Sequence, residues 1–162
     1  MADAVSETKE KYLKKLKTST IWCLVLSIIF AVTGLLSTFK LFTIDIEKEK
    51  EKLKEAAKEV GFKTQNFDQM YGTQGKIFSV VSLIVFIITV LLLILAFKKI
   101  AEGKVPSKLG YYSYILGQVI AIARIVLPGG FTSFVAIQII FCLIIALPAI
   151  LGISYLLKID DK

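Results

Sequence analysis

Three polar side chains fall inside long apolar runs: Gln118, Arg124 and Gln138. A charge at membrane depth costs at least about 2.5 kcal/mol at the bilayer centre, so an arginine there implies a partner or an escape to the headgroups. Arg124 is the only arginine in the chain and lies four residues before Pro128, about 6 Å along a helix. Two readings follow. The side chain snorkels to the headgroups, or it points into the protein and hydrogen-bonds Gln138 or a loop acid such as Asp45 or Glu47. Spacing favours an interior role. Gly110, Ser113, Gly117, Ala121 and Arg124 recur every three or four residues, so they share one helical face, and a face of small residues packs closely on another helix. Gln138, Cys142, Ala149 and Gly152 fall in a narrow arc of the next apolar run, with Ala146 at its edge.

The chemistry the chain can perform is otherwise limited. It has no histidine, which removes the commonest general base and the commonest transition-metal ligand. All thirteen acids lie outside the apolar runs, so none is placed to relay protons or bind sodium within a membrane. No Gly-rich phosphate loop is present; Gly129-Gly130 reads as a turn. Serines lack a histidine partner, and no lysine sits at membrane depth to form a Ser-Lys dyad. Cys23 and Cys142 lie in different runs at different inferred depths, which argues against a disulfide and gives no metal-ligand spacing. Neither a catalytic site, a metal site nor a cofactor is expected, and the chain is read as a non-enzyme.

The elements that must position these residues are set by composition. The 162 residues are 56% hydrophobic, above the usual 45–50% of a soluble domain, and the mean hydropathy is +0.72. The excess is concentrated in blocks of membrane-spanning length. The expected fold is all-α, an integral membrane four-helix bundle forming one domain. Its spans are about 20–44, 76–98, 108–128 and 131–157. Residues 1–19 form a lysine-rich leader, either a short helix on an anionic membrane surface or a partly disordered tail. The leader is not read as a cleavable signal, because the apolar block after it is too long and no A-x-A site closes it.

Within the spans, Gly34 and Thr38 make a small-xxx-small pair, with Ser37 beside them. Ser82, Thr89 and Ala96, spaced by sevens, mark a packing face on the second span. Pro148 removes one helical hydrogen bond and is expected to kink the fourth. The 45–75 loop is rich in helix formers and in opposite charges at i,i+3, and reads as a charged helical extracytoplasmic segment, a docking arm or a solvated connector. Gly61 is its natural stop.

The formal charge of +7 would suit nucleic-acid binding, but the lysines flank apolar runs and read as topology signals and headgroup contacts. No nucleic-acid partner is expected. The leader has five lysines, the 98–108 loop four and the 127–130 connection none. These place both termini and the middle loop in the cytoplasm of a plasma membrane, although the eight lysines between Lys40 and Lys76 oppose that orientation. Lysine outnumbers arginine nineteen to one and isoleucine is abundant, a bias that suggests an AT-rich genome, and a bacterial source is expected.

The expected function is a non-enzymatic accessory, scaffold or immunity-type subunit of a larger membrane complex. Its partners are the lipid bilayer and another membrane protein or a second copy of itself. The alternative is an oligomeric channel or small-solute transporter with Arg124 in its outer vestibule.

Overall fold

The computed structural model describes residues 2–43, 45, 47–48, 51–52, 55, 72–129 and 133–160. They form four α-helices: α1 (Ala2–Thr43), α2 (Thr73–Ala101), α3 (Leu109–Gly129) and α4 (Ser133–Asp160). Among the described residues there is no strand. Among the described residues three helical stretches are long and apolar enough to cross a membrane: Lys9–Thr43, Thr73–Ala101 and Ala136–Ile159. The remaining helix, α3, is 21 residues long and carries Gln118 and Arg124.

The helices run up, down, up and down in a closed ring. Lys17 lies over the Phe97 ring, Phe30 meets Phe86, and Lys76 lies over Phe42, so α2 descends as α1 rises. Thr89 meets Ser113, and Phe86 faces Gly117, which sets α2 against α3. Tyr114 reaches Ile145, and Tyr111 faces Gly152, which sets α3 against α4. Tyr12 meets Tyr155, and Ser19 donates a hydrogen bond to the Pro148 carbonyl, closing the ring between α4 and α1. The start of α1, the end of α4 and the 98–108 turn therefore share one end of the bundle, here called the termini end.

The leader does not form a separate piece. It is the first part of a 42-residue helix continuous with the first span, about 63 Å long against a hydrocarbon core of about 30 Å. Nothing in residues 2–43 breaks it: there is no proline, and the one glycine, Gly34, sits far down the span. Leu16 is fully buried, and Tyr12 packs on Tyr155, with Lys15 over the same ring and Lys158 over that of Tyr12. From Tyr12 onward the leader packs against α4 instead of forming a separate surface segment. Pro148 sits inside α4, which stays α-helical from Ser133 to Asp160.

Large apolar side chains face outward on every helix. On α1 they run from Ile21 and Trp22 to Phe39 and Phe42, on α2 from Ile77 to Leu95, on α3 from Leu109 to Val119, and on α4 from Ile137 to Leu157. Phe39 and Phe141 are 66% and 65% exposed. Ile21 to Phe42 covers about 32 Å of helix, close to the hydrocarbon thickness. So continuous an apolar surface suits contact with lipid or with another apolar surface rather than with water.

Most of the 45–75 loop lies outside the described residues, including the stop at Gly61 and the lysines, Lys50 and Lys58, that stand three residues after Glu47 and Glu55 in its i,i+3 charge pattern. The exposed Lys48 ammonium stands 3.9 Å from the Asp45 carboxylate.

Candidate functional site

The interior divides into two halves of different character. In the half at the termini end, Leu16, Cys23, Leu93, Ile100, Tyr111, Tyr114, Ala149 and Leu156 form one buried cluster. The hydroxyls there are satisfied. Thr20 Oγ1 donates to the Leu16 carbonyl at 2.7 Å, so the Tyr111 hydroxyl, 2.6 Å from Thr20 Oγ1, is the donor to it. The Tyr114 hydroxyl donates to the Ile145 carbonyl at 3.0 Å. By the same logic Thr89 donates to the Val85 carbonyl at 2.8 Å and receives a bond from Ser113 Oγ at 2.6 Å. Each bond crosses between helices or ties a side chain to its own turn, as buried hydroxyls in hydrocarbon require.

Tyr111 is the pivot of this half. Its ring lies against Gly152, where a Cβ would stand 2.6 Å from Cε1, and its hydroxyl reaches across the bundle to α1. Glycine at 152 is what lets the ring reach the centre. Tyr111, Tyr114, Leu16, Leu93 and Leu156 are all fully buried, so the bundle axis is filled at this level.

The other half is unsatisfied. Ser27 Oγ, Ser79 Oγ, Thr38 Oγ1 and Gln118 Nε2 are buried and find no hydrogen-bond partner among the described residues. Their positions follow from the register. Ser27 and Gln118 each lie seven residues beyond the bonded pair Thr20 and Tyr111, on helices that run the same way. Seven residues are two turns, so the two side chains occupy the same faces, about 10 Å further along the axis. Gly34 meets Leu83, so Thr38 and Ser79, one turn further on antiparallel helices, share a layer. Phe86 meets Gly117, so Ser79 and Arg124, one heptad on, share that layer too.

The residues singled out by sequence separate accordingly. Gly110, Ser113 and Gly117 turn to α2, not to α4. A Cβ at Gly110 would lie 3.1 Å from Leu93, and one at Gly117 2.9 Å from Phe86. Thr89 and Ala96 on that facing surface are buried, and Ser82 is half-buried. Ala121 and Arg124 continue the face and are half-buried. Gln118 lies off it, on the tyrosine face, 4% exposed. On α4, Ala149 and Gly152 are buried against α1 and Tyr111, while Gln138 and Cys142 are half-buried. The Tyr114–Ile145 bond places Gln138 level with Ala121, one turn from Arg124. Both cysteines are free thiols. Asp45 and Glu47 are exposed. Among the described residues no group of three or more His, Cys, Asp or Glu is placed to hold a metal ion.

The tyrosine layer was not anticipated. Its signal is present in the sequence: Leu16, Thr20, Cys23 and Ser27 are spaced four, three and four, and Tyr111, Tyr114 and Gln118 three and four. Both are narrow seams of the kind that line a bundle core.

No protein-family model matches the chain, and no curated protein or solved structure is similar to it at the significance required.

Proposed function

We propose that the chain is a four-span plasma-membrane protein that serves as a non-enzymatic accessory or scaffold subunit of a larger membrane complex. The observation that carries this reading is the sealed layer around Tyr111. Five fully buried large side chains pack the interior at the termini end, which argues against a conducting path through one copy. What is left to act is the surface: an apolar belt on all four helices and a basic helix projecting past it.

The third helix counts as a span on its outward apolar face, Leu109, Tyr112, Leu116 and Val119, with Arg124 near its far end. Orientation is argued from lysine. The termini end gathers Lys9, Lys11, Lys14, Lys15, Lys17, Lys98, Lys99, Lys104, Lys108 and Lys158, which favours the cytoplasmic side. A bacterial source suits the lysine bias.

The test is affinity purification from native membranes under mild detergent, followed by mass spectrometry. A stoichiometric, unrelated membrane partner supports the accessory reading. Solute flux or conductance in liposomes containing the purified chain alone counts against it. A second reading, an oligomeric channel or small-solute transporter with Arg124 in its vestibule, draws on one specific observation, the unpaired buried polar atoms of the far half.

A further inference from the structure

The seam between α1 and α4 brings two positive charges to one place. The Lys15 ammonium lies 5.9 Å from the centre of the Tyr155 ring and the Lys158 ammonium 5.9 Å from that of Tyr12, while the two rings stand 6.3 Å apart. The convergence follows from helix geometry. Side chains lean toward the N-terminus of their own helix. On antiparallel helices Lys15 therefore leans toward the termini end and Lys158 leans back from it, and they meet at the level of the tyrosine pair. Both lysines are exposed, and among the described residues no carboxylate bridges either. Glu10 falls on another face of α1, and Glu7 lies about 12 Å from Lys15 along the helix. Two like charges drawn to one site favour an anion there.

Below that charge the surface is apolar. On α4, Ile140, Ile144, Leu147 and Leu151 are exposed and share with Lys158 an arc of about 60° around the helix. On α1, Trp22 and Ile29 stand two and four turns beyond Lys15 on the same face, and both are exposed. The inner side of the seam is filled by Leu16, Ala149 and Leu156, so these exposed stripes run side by side on its outer side. The Tyr12–Tyr155 and Ser19–Pro148 contacts set exposed Leu157 level with Glu10. The apolar surface of α4 thus runs up beside Lys15 instead of stopping short of it.

We infer that the outer side of the α1–α4 seam at the termini end binds one anionic phospholipid of the surrounding leaflet, its phosphate held by Lys15 and Lys158 and an acyl chain laid along the stripe from Leu151 to Ile140. Basic groups between membrane helices at the interface select anionic headgroups. The ring contacts hold both ammonium groups in place before the lipid arrives, which lowers the ordering cost of binding. A zwitterionic lipid brings its own cation to the two lysines and gains less. The site rests on the membrane-spanning reading above and not on the accessory role.

Trp22, the only tryptophan of the chain, reports on the site, because it lies about 10 Å below Lys15 on the same face. The full chain is reconstituted in phosphatidylcholine vesicles with a minor fraction of phosphatidylglycerol. Bromine is carried on the acyl chains of the phosphatidylglycerol, or on an equal amount of the phosphatidylcholine. Brominated phosphatidylglycerol is expected to quench Trp22 several-fold more. Equal quenching overturns the site, leaving the seam to an acidic partner segment, and keeps the spanning reading; no quenching by either lipid overturns both. Lys15→Gln/Lys158→Gln is expected to lose the preference. Lys98→Gln/Lys99→Gln removes the same charge at the end of α2 and is expected to keep it. Equal loss in the two variants marks a diffuse attraction and overturns the site. Inorganic phosphate at matched ionic strength is expected to leave the quenching unchanged, and recovery of the fluorescence overturns a lipid as the occupant. Where a variant does not reconstitute, the comparison of the two brominated lipids in the unaltered chain decides.

Discussion

Single atoms decide the packing at glycine. Gly152→Ala sets a methyl group inside the Tyr111 ring's space, so it is expected to destabilise the bundle by about 1–3 kcal/mol, the cost of overpacking. Gly34→Ala is the control: its Cβ would meet only Leu83, at an ordinary 3.6 Å, and thermal unfolding in detergent should scarcely move. At Gly103 the penalty has another origin. Its φ of +70° is left-handed, with nothing near the added methyl, so Gly103→Ala should cost about 1–2 kcal/mol through the backbone alone. The Thr20–Tyr111 bond is accessible to a double-mutant cycle with Thr20→Val and Tyr111→Phe. A coupling of about 0.6 kcal/mol is typical between membrane helices and about 1.7 is near the maximum; a value near zero would mean that the pair does not meet. None of these contacts is visible in composition. Sequence spacing puts Gly110, Ser113 and Gly117 on one face, but a face does not name its partner. The aromatic bulk of Tyr111 and Tyr114 claims the side toward α1 and α4, which leaves the small side to α2.

Among the elements, α1 departs furthest from its reading in sequence. The blocks of Ile, Leu and Val announce helices of spanning length, because lipid leaves a backbone few alternatives. The leader carries no such signal. Its charge is that of a surface or disordered segment, and its packing partners, Tyr155, Leu156 and Lys158, lie more than 130 residues away. Leu16→Ala is therefore expected to cost about 2–5 kcal/mol, as for a filled core site. Tyr12→Ala should speed amide exchange over residues 9–18 while leaving 25–40 unchanged. Exchange over residues 9–18 that is the same in Tyr12→Ala and in the unaltered protein would show that the Tyr12 contact does not hold the leader.

For the molecule as a whole, the question is which end faces which compartment. With the termini end in the cytoplasm, an impermeant thiol reagent added to intact cells should label Glu55→Cys and not Lys104→Cys, both sites being exposed. The reverse pattern inverts the orientation. The up-and-down order was legible because each apolar block is bounded by polar residues, and short connections force neighbours to run antiparallel. The sealed and unsealed halves were not. That difference depends on which hydroxyls find partners across helices, and a hydropathy profile gives Tyr111, Ser113 and Thr89 the same weight whether bonded or bare.

The ring closes between α1 and α4, so α1 receives one of its two neighbours only after α2 and α3 have been made. Until α4 arrives, Leu16, Ser19 and Thr20 present an open groove to lipid or to any other helix nearby. Chaperoning of that groove, or its capture by a foreign segment, would compete with native assembly. The seam between α1 and α4 is thus the place where synthesis of this protein is most exposed to error.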